Sequence, residues 1–260
     1  MPRFAANLSF LFQEVDFPAR FEKAAKAGFR GVEYLFPYEW PADQLAQWLS
    51  SAGLEQVLFN VLPGDWGAGD RGIACHPGKE LAFRRSVDQA LEYATKLGCH
   101  QLHAMAGLAL PGVSEDQHEA VFLKNLTLAA EQCASAGVCL LIEPINSRID
   151  MPGYWLNSPE KAFRIQRVIN HPALQVQLDL YHAQVMGADL FSLIKQYLPV
   201  IGHFQIADFP GRNEPGTGDI DFPSLFAQMD EMFYSGWIGC EYRPTVNTET
   251  SLHWFNAVKG

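Results

Sequence analysis

The chain reads as an α/β protein, a closed (β/α)8 TIM barrel, and three observations predict it. Strand-sized apolar runs alternate with amphipathic helical stretches eight times, and strict alternation calls for a parallel sheet covered by helices. Eight such units in 260 residues is the usual size of a closed barrel. The competing open doubly wound sheet normally stops at about five or six strands. No composition break is long enough for a linker, so a single barrel domain over residues 1–260 is expected.

The elements follow in order. Arg3 to Ser9 is the first strand, and an amphipathic helix from about Pro18 stops at Gly28. Gly31 to Phe36 is the second strand, followed by a helix over Ala42 to Ser51 with Pro41 before it and Gly53 after it. Glu55 to Val61 is the third strand, and a Gly-rich loop, Pro63 to Gly78, precedes a helix from Glu80 to Leu97. Gln101 to Ala106 is the fourth strand. Ser114 then caps a long helix through Ala136, with Gln117 as the reciprocal partner of a capping box. Val138 to Glu143 is an apolar run bounded by Gly137 and Pro144, which reads as a strand buried on both faces. Ser158 starts the next helix, Leu174 to Tyr181 is the sixth strand, and Asp189 to Leu198 is a helix. Ile201 to Ala207, a helix over Asp221 to Tyr234, Trp237 to Tyr242 and a helix over Glu249 to Val258 complete the series.

Composition narrows the function classes. Apolar residues make up 48%, but their runs are strand-sized, so none spans a membrane. The opening residues lack the apolar core of a secretory signal, and a cytoplasmic protein is expected. Five cysteines without a C-x-x-C pair argue against a disulfide framework and a structural zinc site. A net charge of −10 disfavours nucleic acid as the partner, because phosphate contact needs clustered Lys and Arg. Aromatic residues on the outer helices could pack within the chain or against a second subunit of a homodimer.

The strand ends carry the chemistry. In a barrel the carboxyl ends of the strands face the active-site mouth. Those ends offer Asn7, Glu33, Asn60, His103, Glu143, Asp179, Gln205 and Glu241 in turn. Alternation places His203 on the face of Gln205, one layer lower, and turns Cys240 and Tyr242 outward beside Glu241. Each residue alone could be a hydrogen-bonded polar group or a strand end reaching water. Glu143, Asp179, Gln205 and Glu241 come from four consecutive strands, and carboxylates converging that closely repel unless a cation sits among them. An all-oxygen set of this kind suits Mg2+ or Mn2+ better than Zn2+.

Nearby, His182 stands three residues beyond Asp179 at the mouth. Arg212 lies in a Gly- and Pro-rich loop after the seventh strand. It reads either as a solvated arginine on a surface turn or as a planar grip on two oxygens of a carboxylate or enediolate. Gly67 to Gly72 matches G-x-G-x-x-G but does not turn from a strand directly into a helix, so a lid over the mouth, with Trp66 and Arg71 towards substrate, fits better than a nucleotide site. His182, Arg212, Asn7, Asn60, His103 and Arg71 are the candidate substrate-binding residues.

Five segments resemble one family: Arg3 to Ser9, Gly64 to Cys75, Leu141-Ile142-Glu143-Pro144-Ile145-Asn146, Gly202 to Asp208 and Gly236 to Tyr242. They are similar to the hydroxypyruvate isomerase and 2-oxo-tetronate isomerase family of xylose-isomerase-like barrels, over residues 1 to about 254. The resemblance implies that Glu143 and Glu241 act as proton donor and acceptor. It also implies that Glu143, Asp179, Gln205 and Glu241 hold a divalent metal. The Arg71 loop looks more like hydroxypyruvate isomerase and the opening segment more like the tetronate enzyme. The expected activity is therefore interconversion of hydroxypyruvate and tartronate semialdehyde through an enediolate, with 2-oxo-tetronate as the alternative substrate. A metal-dependent endonuclease-like hydrolase and a non-catalytic sugar-acid binder are the competing classes.

Overall fold

The computed structural model describes residues 2–258; Met1, Lys259 and Gly260 of the expected 1–260 unit lie outside the described residues. Eight strands form one closed barrel: β1 (Arg3–Asn7), β2 (Gly31–Tyr34), β3 (Glu55–Asn60), β4 (Gln101–His103), β5 (Cys139–Ile142), β6 (Leu174–Asp179), β7 (Ile201–Ile206) and β8 (Trp237–Cys240). Neighbours in sequence pair in parallel, and β8 closes on β1. The register brings polar strand ends level with one another. Asn7 pairs with Glu33, Asn60 with His103 and Asp179 with Gln205.

Around the barrel run α1 (Phe17–Lys26), α2 (Ala42–Ala52), α3 (Glu80–Leu97), α4 (Glu115–Ser135), α5 (Pro159–Ile169), α6 (Leu180–Val185), α7 (Leu190–Tyr197) and α8 (Phe222–Glu231), with α9 (Thr248–Ser251) and α10 (His253–Val258) last. Local chemistry sets their ends. The Ser114 side chain accepts from the Gln117 backbone N–H while Gln117 reaches back, which completes the expected capping box on α4. Gly53 and Gly98 end α2 and α3 in the left-handed region, where glycine pays no Cβ penalty.

Two apolar clusters organise the interior. The larger lies between strands and helices and takes the outward-facing residues, such as Val32, Phe204, Cys240 and Tyr242. The smaller one, Ala5, Val57, Leu58, Leu141 and Trp237, lies inside the barrel among inward-facing residues. A Cβ on Gly31 would meet Val57 and the Trp237 ring within 3 Å, so the missing side chain makes room for that layer.

The strands end earlier than their apolar patterns suggest. β5 stops at Ile142 and β8 at Cys240, which leaves Glu143 and Glu241 just past the ladder, before Pro144 and Pro244. β4 stops at His103 and β6 at Asp179, where α6 begins instead of a longer strand. The Asp179 side chain accepts the His182 backbone N–H and so caps that helix, a competing local bond that the apolar run Leu180-Tyr181 conceals. The expected closing helix is two short ones, with Asn247 capping the first through the Thr250 N–H.

Candidate active site

The polar strand ends open into one cavity of about 180 Å3. Its lining includes Asn60, His103, Glu143, His182, Gln205, Glu241 and Arg212, all predicted from sequence. Asp179 is buried beside it, and Asn7 lies beneath. The Asn7 amide donates to Glu33 at 3.0 Å and to Glu241 at 2.9 Å, so it holds carboxylates instead of lining the cavity. Arg71 also lies off the cavity wall. Its guanidinium stacks 3.9 Å from the Trp66 ring and donates to backbone carbonyls of its own loop, and Trp66 is the loop residue that reaches the lining. The loop's third motif glycine, Gly72, has φ 101° and bridges to Ala106, where a Cβ would collide with the Met105 backbone. Gly72 thus serves a close approach of two backbones.

Glu241 is tightly held. One oxygen accepts from Arg212 Nη2 at 2.6 Å, the other from Asn7 and from Gln205 Nε2 at 2.7 Å. Arg212 sits at φ 56° and bridges Glu241 to Asp150, donating to the latter at 2.7 Å from Nη1. Burial alone would lower its pKa, but the carboxylates of Glu241, Asp179 and Asp150 outweigh that and raise it. Below this layer, Glu33 accepts from Asn7, Gln205 and the His203 ring at 2.7 to 3.0 Å. It is a fully satisfied buried carboxylate at the centre of the barrel.

That hub makes Gly239 sensitive. A Cβ there would land on the Glu33 carboxylate. Gly239→Ala should therefore displace Glu33 and unpair three donors, with a loss of about 1–3 kcal/mol in urea denaturation. An unchanged denaturation midpoint would refute this packing argument.

Glu143 is held loosely by comparison. Its nearest cationic-type contacts are His103 Nδ1 at 3.6 Å and His182 Nε2 at 3.9 Å. Burial pushes its pKa well above the usual carboxylate range, and the charges of Glu241 and Asp179 push the same way. Glu241 rises to about 8, mainly through burial, with Arg212 opposing and Asp179 and Glu33 reinforcing. Burial also depresses His103 to about 3 and His182 to about 4, so both rings are neutral at physiological pH.

The histidine partners assign their tautomers. Asn146 accepts the backbone N–H groups of Ile149 and Asp150 on Oδ1, so its amide nitrogen faces Asp150 and His182 Nδ1, each at 2.7 Å. His182 Nδ1 is therefore the acceptor, and Nε2 carries the proton towards Glu143. His103 is the converse: Nδ1 faces the side-chain oxygen Oδ1 of Asn60 at 3.2 Å, and the buried Nε2 has no partner among the described residues. One ring offers the site a donor and the other an acceptor.

These shifts predict how stability varies with pH. With the Glu143 carboxyl raised well above its ordinary 4.5 and that of Glu241 raised to about 8, the folded chain binds more protons than the unfolded one above pH 4.5, so stability falls as pH rises. The depressed histidines act in the opposite sense, but only below their ordinary 6.5. Between pH 6.5 and 8, in chelator, unfolding free energy should decline by roughly 1.4 kcal/mol per pH unit for each extra proton held. Glu241→Gln should flatten that slope, and a slope identical to wild type would contradict the shift.

The residues can also hold a divalent cation. Asp179 Oδ2 is buried without a partner, and ligand atoms of Glu143, Asp179 and His182 lie within 4.8 Å of one another. The His182 tautomer presents an N–H and not a lone pair, which leaves carboxylate oxygens as the fitting donors. Glu241 and the Gln205 carbonyl oxygen, although engaged by protein donors, each keep lone-pair capacity.

A barrel with inward carboxylates at the carboxyl ends of its strands defines the class, and the chain belongs to the xylose isomerase-like TIM barrel family, which matches residues 21–258. Among its particular relatives, a 2-oxo-tetronate isomerase from Cupriavidus necator is 47% identical, covering 100% of both chains. A hydroxypyruvate isomerase from Escherichia coli is 45% identical, covering 98% of this chain and 99% of that one. A crystal structure described as an AP endonuclease, family 2, from Brucella melitensis superposes with a TM-score of 0.96 at 47% identity, covering 99% of each chain.

Sequence reasoning missed Asn146, Asp150, Gln177 and Arg243 as members of the site. Arg243 had a signal: it stands two residues after Glu241, and alternation carried one step further returns it to the same side. Asn146 and Asp150 lie in a loop whose path no periodicity announces.

Proposed function

We propose that the protein is an intramolecular aldose–ketose isomerase that interconverts hydroxypyruvate and tartronate semialdehyde. The observation that carries this is the pair Glu143 and Glu241, two buried carboxyl groups with raised pKa values lining one small cavity. Carboxyl groups raised above the ordinary carboxylate range can both take and return a proton. One glutamate removes the proton from C3 of hydroxypyruvate, and the other delivers a proton to C2, with the hydroxyl proton passing from O3 to O2. The His182 Nε2–H and the Arg212 guanidinium face the oxyanion of the intervening enediolate. His103 Nε2 accepts from a substrate hydroxyl.

Glu143, Asp179, Gln205 and Glu241 would hold Mg2+ or Mn2+. When bound, the cation polarises the substrate carbonyl as a Lewis acid.

The second reading keeps the chemistry and lengthens the substrate by one carbon to 2-oxo-tetronate, the name that the 47%-identical relative bears. An endonuclease-like reading is opposed by the net charge of −10 and by the carboxylates around the cavity, since both repel phosphate. The test incubates enzyme, Mg2+ and each keto acid in D2O and follows exchange by NMR. Deuterium should enter the carbon alpha to the carbonyl, and chelator should stop it until Mg2+ or Mn2+ is restored. A binding protein without catalysis would incorporate none.

A further inference from the structure

We propose that Arg243 is the residue that binds the substrate's carboxylate, and that it sets the preference of this site for hydroxy-keto acids over uncharged ketoses. The inference rests on the isomerase reading above and deepens it.

The argument begins with charge. Glu143, Asp150 and Glu241 line the cavity, and among the described residues the cations that line it with them are Arg212 and Arg243. An anionic substrate entering a cavity lined by these acidic residues needs a cation that is not already paired. Arg212 is not that cation. It is 7% exposed, its two Nη groups bridge Asp150 and Glu241, and its guanidinium is flanked by the Phe10 and Tyr181 rings at 5.0 and 5.3 Å.

Arg243 differs on each point. Its side chain is exposed, and among the described residues it has no hydrogen-bond, ion-pair or ring partner. Its backbone is fixed nonetheless: the N–H donates to the Arg212 carbonyl at 2.8 Å, and the carbonyl accepts from the Asn213 amide at 2.7 Å. The root is anchored and the head is free. Arg243 also borders the open depression beside Ser9, Gln13 and Pro244, so it stands where the cavity meets solvent. A guanidinium there can pair two N–H groups with the two oxygens of a carboxylate. The hydroxyl and carbonyl of the same substrate then point inward to Glu143 and Glu241. An uncharged ketose has the inner groups without the outer one, so this contact discriminates between the two classes.

The experiment compares wild type with Arg243→Ala and Arg243→Lys. It measures hydroxypyruvate turnover, and by competition the binding of glycerate, an acid that cannot isomerise, and of dihydroxyacetone, which has a hydroxymethyl group in place of the carboxylate. In Arg243→Ala the KM for hydroxypyruvate and the Kd for glycerate should rise on the order of 10–100-fold, the range for a charge-assisted hydrogen-bonded pair. The dihydroxyacetone Kd should move far less, and Arg243→Lys should restore part of the loss. Unchanged glycerate binding, or equal losses for glycerate and dihydroxyacetone, would overturn the proposal. If wild type turns over no keto acid yet loses glycerate in Arg243→Ala, the carboxylate subsite stands and the isomerase reading falls.

Discussion

Glu143→Gln and Glu241→Gln should each lower kcat on the order of 10²–10⁴-fold, the range that positioned general acid–base groups supply. Glutamine preserves the shape of each side chain and removes its capacity to take a proton. At position 143 the exchange is gentler, because the His103 and His182 contacts are long and the carboxylate's hydrogen bond comes from the neutral Gln177 amide. At position 241 it is harsher. A glutamine NH2 must face either Arg212 or the donors Asn7 and Gln205, all of which now point at oxygens. Some loss of stability is expected there, on the order of the 1–3 kcal/mol of a buried group left without its partner. Circular dichroism and denaturation separate that loss from the catalytic one. Loss of the Glu241 charge also removes part of what holds Glu143 above the usual carboxylate range, so the limb of the pH–rate profile that Glu143 sets should move to lower pH. Near-normal turnover in either variant would end the assignment of that carboxyl group to proton transfer.

The second large effect is expected at a residue that touches neither proton-transfer carboxylate. Asn146→Asp should lower kcat about 10²-fold or more, the cost of losing one donor aimed at a developing oxyanion. The Asn146 amide donates to His182 Nδ1 because two backbone N–H groups already occupy its carbonyl oxygen. An aspartate there accepts on every oxygen and would draw the ring proton onto Nδ1, leaving Nε2 as a lone pair towards Glu143. The new carboxylate would also repel Asp150, whose Oδ2 now accepts from the Asn146 amide at 2.7 Å, while the donor to His182 turned into an acceptor. Imidazole ¹⁵N shifts read the tautomer directly, and their change should accompany the fall in turnover. A variant with altered shifts and wild-type kcat would show that the His182 proton has no part in the reaction.

The barrel and much of the site are legible in the amino-acid order because both rest on periodicity. Strand-sized runs punctuated by Gly and Pro predict the eight strands, and a polar residue at each strand end predicts the ring from Asn60 to Glu241. What escapes depends on bonds between distant segments. Nothing local marks Glu33 as the hub for Asn7, His203 and Gln205, although each was visible as a strand-end or inward-facing residue. From sequence Asn7 groups with substrate contacts, because a strand-end amide looks alike whether it meets ligand or carboxylate. Arg71 was misdirected for a similar reason: a cation in a glycine-rich loop suggests an anion, yet its partner is the face of Trp66. The α6 helix stayed hidden because Leu180-Tyr181 extends an apolar run, and only the Asp179 cap shows that the strand has ended.

The contact between Gly239 and Glu33 reaches beyond folding. Because the bare glycine on β8 is the space that the β2 carboxylate occupies, the two positions form a lock that neutral drift cannot open one step at a time. Enlarging position 239 becomes tolerable only after residue 33 is shortened, and shortening residue 33 first strands His203, Asn7 and Gln205. Directed evolution of this scaffold towards other sugars should therefore find its gains on the rim loops, and leave this pair untouched unless a library mutates both together.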